Sequence, residues 1–279
     1  FVTSIEEPRL RARMTDVVGE SVVEQRGIQG ALDWLGQLDQ SQAYVQSAYN
    51  SVIKRAIPRN SSSLAEWINR NPEGKHIQPW MYSETAKRIA SKDPGLAASW
   101  LESHLSNEKL NGQVVGEVAS RWVESDPQAA SSWVDSLKGT RVYDKELAKR
   151  LGGAWARKDP GAAFQWAKGL ETDLWRPASA SIVGNMSKEQ LLQNASWIKE
   201  SPAESANDGI RAAYAMRMAE LDPYDAIKQA LLMTDALGRE KVAVHVAKKI
   251  YKQNPESIRD WLPQSGLSEA SQQRILRNQ

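Results

Sequence analysis

The chain of 279 residues has no cysteine, only two phenylalanines and only three histidines. Without cysteine there is no disulfide, no thiolate metal site and no thiol nucleophile, and neither redox compartment is excluded. His76, His104 and His245 stand far apart, with no HExxH and no pair at helical spacing, so a zinc site is not expected. Each is read as an ordinary surface or groove residue. No run approaches the length of a membrane-spanning helix, and the Phe1 start carries no signal-peptide pattern. The absence of an initial methionine reads as a processed or truncated chain.

Charge of one sign is also missing. Lys and Arg total 36 against 34 Asp and Glu, a formal charge of +2, and no sustained basic run offers a footprint for nucleic acid. Neither GxGxxG nor GxxxxGK[ST] occurs, and the serines, including Ser61 to Ser63, lack a GxSxG elbow. No cofactor is expected. The acids Glu84, Glu117, Glu146 and Asp126 suit caps and surface pairs better than a glycosidase carboxylate pair.

What the chain does have is tryptophan at fixed intervals. Trp34, Trp67, Trp100, Trp133 and Trp166 are 33 residues apart, with Trp197 31 further on and Trp261 another 64 on. A period in this range marks a stacked repeat array. Asp93, Asp126 and Asp159 stand seven residues before a tryptophan and directly before proline; Asp222 and Asn254 continue the series, with Gln229 in the tryptophan place. Asp or Asn followed by Pro is an N-cap followed by N1, so each pair starts a helix. Within it Ala97, Trp100, Leu101 and Leu105, like Ala130, Trp133, Val134 and Leu137, form one apolar face.

A second helix precedes each cap. Ala86, Ala119, Gly152, Ala215 and Ala247 stand three residues before its last large apolar residue, always small, as where two backbones cross closely. Short links such as SNEKLNG and TDALGRE join antiparallel neighbours. Each repeat is thus a helical hairpin, and the sequence predicts an all-α chain: an α/α solenoid of about eight hairpin repeats of about 33 residues, right-handed by analogy with other helical-hairpin arrays. Residues 1–279 form a single solenoid domain on this reading, with divergent cap repeats at 1–60, regular repeats at 61–262 and a C-terminal cap at 263–279. Gly27 and Asn60 replace the Asp-Pro cap in the first repeats, the 72–80 segment is irregular, and residues 171–197 shorten the period; such a break marks a bend, a binding feature or drift.

Hairpin length and stacking resemble tetratricopeptide repeats. WVESDPQAASSWVDSL and WARKDPGAAFQWAKGL more closely resemble a bacterial class of DP-x-x-A-x-x-W helical repeats, strongest over residues 81–170. That resemblance implies an exported or envelope-associated interaction protein, placed in the periplasm or cell envelope, with the cytoplasm also open. The expected function is a non-catalytic protein- or peptide-binding scaffold, with a glycan as a further ligand class. The alternatives are a helical accessory region of an envelope polysaccharide or peptidoglycan enzyme and a self-assembling structural protein; the oligomeric state stays open. Arg88, Arg121 and Arg217, one residue before the anchor of their second helices, are the candidate partner-binding residues, either paired with neighbouring acids or used. Basic groups at Lys54, Arg55, Arg59 and at Lys248, Lys249, Lys252, Arg259, and off-seam aromatics at Trp80, Tyr143, Trp175 and Tyr224, are further surface candidates.

Overall fold

A computed structural model describes residues 1–56, 61–71, 77–201 and 203–277, except the side chains of residues 55, 56, 61–63 and 197. Asn60, His76, Arg59 and the side chains of Arg55 and Trp197 therefore lie outside the described residues. What is described is all-helical, with no strand, and it divides into two compact units. The first comprises Phe1–Trp122 with Gly139–Val142, the second Val123–Lys138 with Tyr143–Gln279.

In the first unit α1 (Pro8–Gly36) packs on α2 (Ala43–Ala56) and α3 (Ser61–Arg70); α4 (Pro79–Ala90) lies against α3 and α5 (Pro94–Glu102). α6 (Gly112–Ser125) leads into the second unit. There α7 (Pro127–Ser136) is followed by α8 (Lys145–Ala156), which packs on α9 (Pro160–Lys168) and α10 (Thr172–Asn185). After α11 (Lys188–Gln193) and α12 (Ala195–Lys199) comes α13 (Asp208–Met218), packed against α10, α14 (Pro223–Leu231) and α15 (Ala236–Gln253); α16 (Pro255–Trp261) and α17 (Glu269–Leu276) lie on α15.

The caps form as their chemistry requires. Asp93, Asp126, Asp159 and Asp222 each accept the N–H three residues on at 2.9 Å, and Asn254 accepts that of Ser257 at 3.1 Å. Proline follows every one of them at the first helical position. The first repeat reaches the same end by other means. Gly27 has φ 69° and breaks α1, so that Ile28 to Gly36 runs as a separate helical segment carrying Trp34.

Close crossing accounts for the small seam. Ala86, Ala119, Gly152, Ala215 and Ala247 are all buried, and a Cβ on Gly152 would sit 3.2 Å from Ile182 and 3.3 Å from the Ala178 carbonyl of α10. Trp67, Trp100 and Trp133 are buried, each contributing roughly 4–6 kcal/mol of gross apolar burial. Trp34, Trp166 and Trp261 are half-buried, so the tryptophan seam is shallower than its even spacing suggests. Leu105 lies beyond the end of α5 and is half-buried.

Tyr49 and Trp67 stack with centroids 6.2 Å apart, as do Tyr82 and Trp100 at 5.8 Å; both pairs are 18 residues apart in sequence. The same offset joins Arg211 to Gln229, where a fully buried guanidinium donates to the Gln229 Oε1 and, through Nη2, to the Ser201 carbonyl. His104, expected at the surface, is buried: its Nδ1 lies 2.8 Å from the Trp100 carbonyl and its ring packs on Tyr82 and Trp100. The turn after α5 folds it back onto that pair.

Candidate binding site

The three candidate arginines meet three different fates. Arg88 is exposed and paired with Glu84 at 3.1 Å within α4. Arg217 donates to the carbonyls of Gly184 and Met186, at 2.5 and 2.8 Å, and so closes the C-terminus of α10. Arg121 is exposed with no ion pair or hydrogen bond among the described residues. Lys249, which the sequence reading did not include among these arginines, stands in the matching place of α15 and pairs with Glu220. A row of like charges is thus divided among an internal pair, a backbone clamp and one unspent cation.

The other surface candidates are similarly dispersed. Lys54 Nζ sits 5.9 Å from the Trp80 ring centre, while Arg259 packs over Tyr251 and bonds its hydroxyl. Tyr224 is about half exposed and its hydroxyl lies 3.4 Å from Ser257. His245 is exposed. Trp175 takes part in a substantial concavity.

That concavity sits where the period breaks. Instead of one continuous first helix, residues 188–199 form two short ones separated at Asn194, whose backbone is at φ −99°, ψ 6°. Ser187 and Gln190 close a reciprocal capping box at the start. Both larger cavities use this segment. One, of about 530 Å³, is lined by Phe164 and Lys168 of α9, Trp175 of α10, and Asn194, Glu200 and Asn207 around α12, together with Ser201, Gln165 and Gly161. The other, of about 600 Å³, is lined by Lys188, Lys199 and Leu192 on one side and Tyr214, Asp222 and Asp225 on the other.

In the first cavity Trp175 and Phe164 meet edge to face, 4.9 Å between centroids at 67°, with Lys168 Nζ 5.5 Å from the Phe164 ring centre. Asn194 Nδ2 donates to the Gln190 carbonyl at 2.7 Å, and Asn207 Nδ2 to Glu204 Oε1 at 3.3 Å, which fixes both amides. The exposed side chains of Gln165 and Glu200 have no hydrogen-bond partner among the described residues. Behind the rim, Arg211 holds the Ser201 carbonyl, and Asp208 accepts from Thr234 N, Thr234 Oγ1 and Asp235 N at 2.8–2.9 Å, tying the turn after α14 to the start of α13.

In the second cavity Asp225 accepts from Tyr214 at 2.6 Å and from Lys199 at 2.9 Å. Burial, and then its bond to Asp225, pushes the Tyr214 hydroxyl well above its ordinary range. The neighbouring Glu220 carboxyl is held below the usual range by Lys249. Among the described residues no cluster of three or more His, Asp or Glu is placed to hold a metal, and no helix is long and apolar enough to cross a membrane.

Phe164 was not singled out by sequence reasoning, although a signal existed. Its place in the repeat is Ala98 in α5 and Ser131 in α7, so a phenyl ring there marks a local change of packing. No family model, curated protein or solved structure matches this chain.

Proposed function

We propose that the chain is an α/α solenoid of about eight hairpin repeats that acts as a non-catalytic scaffold, binding a protein or peptide partner around its irregular repeat. Contacts at the repeat distance support the array. Arg141 donates to the Glu108 carbonyl 33 residues earlier, Lys158 to that of Glu124 34 earlier, and Arg217 to that of Gly184 33 earlier. Each joins one repeat to the corresponding place in the one before, as nearest-neighbour stacking requires.

The observation that carries the binding reading is the pair of cavities that share the split α11–α12 segment. One has aromatic, amide and charged groups, the other charged groups around Tyr214, and both open where the period fails, whereas a smaller concavity at Asp126, Lys158 and Asp159 lies on the regular caps. Of the candidate arginines, Arg121 is the one left available to a partner. The resemblance to DP-x-x-A-x-x-W repeats supports an envelope location for this role.

The test is affinity capture with the immobilised chain from extracts of its own organism, followed by calorimetry with each captured protein after purification. A partner whose binding weakens at least tenfold with Lys188→Glu/Lys199→Glu or with Arg121→Glu supports the reading. Direct binding unaffected by both variants, or no direct binder, defeats it.

A further inference from the structure

We propose that the cavity between α9, α10 and α12 is a binding site for a neutral saccharide of one or two rings. The balance of its lining selects this class. Two aromatic rings stand among six hydrogen-bonding side chains: Gln165, Lys168, Asn194, Glu200, Ser201 and Asn207. An apolar peptide side chain entering such a cavity strips water from these groups without replacing the hydrogen bonds, at roughly 1–3 kcal/mol for each one left unpaired. A strongly charged ligand fares no better, because the lining holds one ammonium and one carboxylate and meets either sign with a like charge.

A saccharide carries both kinds of surface the cavity offers. Its ring faces are C–H surfaces, and its edge is a set of hydroxyls that each donate and accept. The Phe164 ring is already covered by Lys168 and packed on Trp175, which leaves the half-buried Trp175 indole as the apolar platform. The Gln165 and Glu200 side chains, both exposed and without partners among the described residues, are available to hydroxyls; the Glu200 carboxylate accepts, and the Gln165 amide does both.

The supporting groups are set before any ligand arrives. Asn194 and Asn207 are pinned by their own bonds, and the Ser201 backbone is held from beneath by the buried Arg211. The volume of about 530 Å³ falls within the roughly 300–1,000 Å³ of small-molecule sites and suits a compact ligand rather than an extended chain. This inference assigns a ligand to one of the two cavities on which the binding reading rests; the Lys188/Lys199 and Arg121 variants test that reading through the other cavity and through Arg121, so the two can fail separately.

Saturation-transfer NMR with the full chain tests it, using cellobiose, maltose, lactose and N,N′-diacetylchitobiose as probes and a capped Ala-Trp-Ala peptide as the apolar competitor. At least one disaccharide is expected to receive saturation, and its affinity to fall about five- to tenfold with Glu200→Ala and with Trp175→Ala, in line with loss of one charge-assisted hydrogen bond or of the ring platform. If Trp175→Ala reduces helicity by circular dichroism, Glu200→Ala and Gln165→Ala, both at exposed positions, decide the matter. The proposal is overturned if no probe disaccharide binds, if binding survives the Glu200 and Gln165 substitutions unchanged, or if the peptide displaces the sugar at lower concentration.

Discussion

Tyr82–Trp100 in the first compact unit and Arg211–Gln229 in the second occupy the same two places of the repeat, 18 residues apart, with opposite chemistry. The aromatic pair is held by area and ring geometry and places few demands on its surroundings. The polar pair needs every acceptor in position, because a buried guanidinium without partners costs more than it contributes. Burial pushes the Arg211 pKa down, with Asp208 opposing the shift. One repeat position can therefore be filled by packing or by a hydrogen-bond network; only the second ties the core to a loop, here Ser201 at the rim of a cavity.

The sharpest way to break this comparison is Gln229→Leu. Removing the acceptor from a buried charge is expected to cost about 3–5 kcal/mol, read as a lower urea midpoint. The double substitution Arg211→Tyr/Gln229→Trp, which transplants the aromatic pair, is expected to recover more than half of that loss. If the double variant is no more stable than Gln229→Leu, the two places are not equivalent.

The tyrosine side of the comparison is sharpened by pH. Tyr49, the Tyr82 counterpart beside Trp67, is 1% exposed, and burial, aided by the charge of Asp33, pushes its pKa up from 10.0 to about 12. A raised folded-state value means that this contribution is whole below about pH 10 and is lost as pH rises from about 10 through about 12. The loss totals about 2–3 kcal/mol. Tyr49→Phe should flatten the alkaline fall in stability measured by denaturant titration at pH 9 and pH 11; an equally steep fall in the variant refutes the assignment.

The smallest contrast separates two arginines read as equivalent from sequence. Arg217→Ala removes two bonds to helix-end carbonyls and should cost about 1–2 kcal/mol, whereas Arg121→Ala should change stability by less than about 0.5 kcal/mol. Equal thermal melting of the two variants would show that the clamp contributes nothing.

The caps and the small seam were legible because each rests on one residue type with one physical use: Asp-Pro starts a helix, and Ala or Gly admits a crossing. Gly27 was legible as a departure from the cap pattern, though not as a φ 69° break inside a longer helix. The fate of the arginines was not legible, since the partner depends on side-chain direction and on carbonyls 31–33 residues away. Nor was the burial of His104, which depends on the turn after α5 closing over Trp100. Of the cavity, Trp175 stood out as an aromatic off the seam, while Arg211 behind it was not singled out, because nothing local marks it as buried.

The break at Gly27 has a mechanical consequence. Run without interruption, Pro8 to Gly36 would be a rod of 29 residues and about 43 Å, the span of a long coiled-coil arm rather than of a hairpin. The absence of one Cβ, at the single place in that stretch where φ is positive, divides the rod into a lead-in and the segment Ile28 to Gly36, as short as α5. Period here is imposed by an interruption, and a side chain at that point would lengthen the ruler itself.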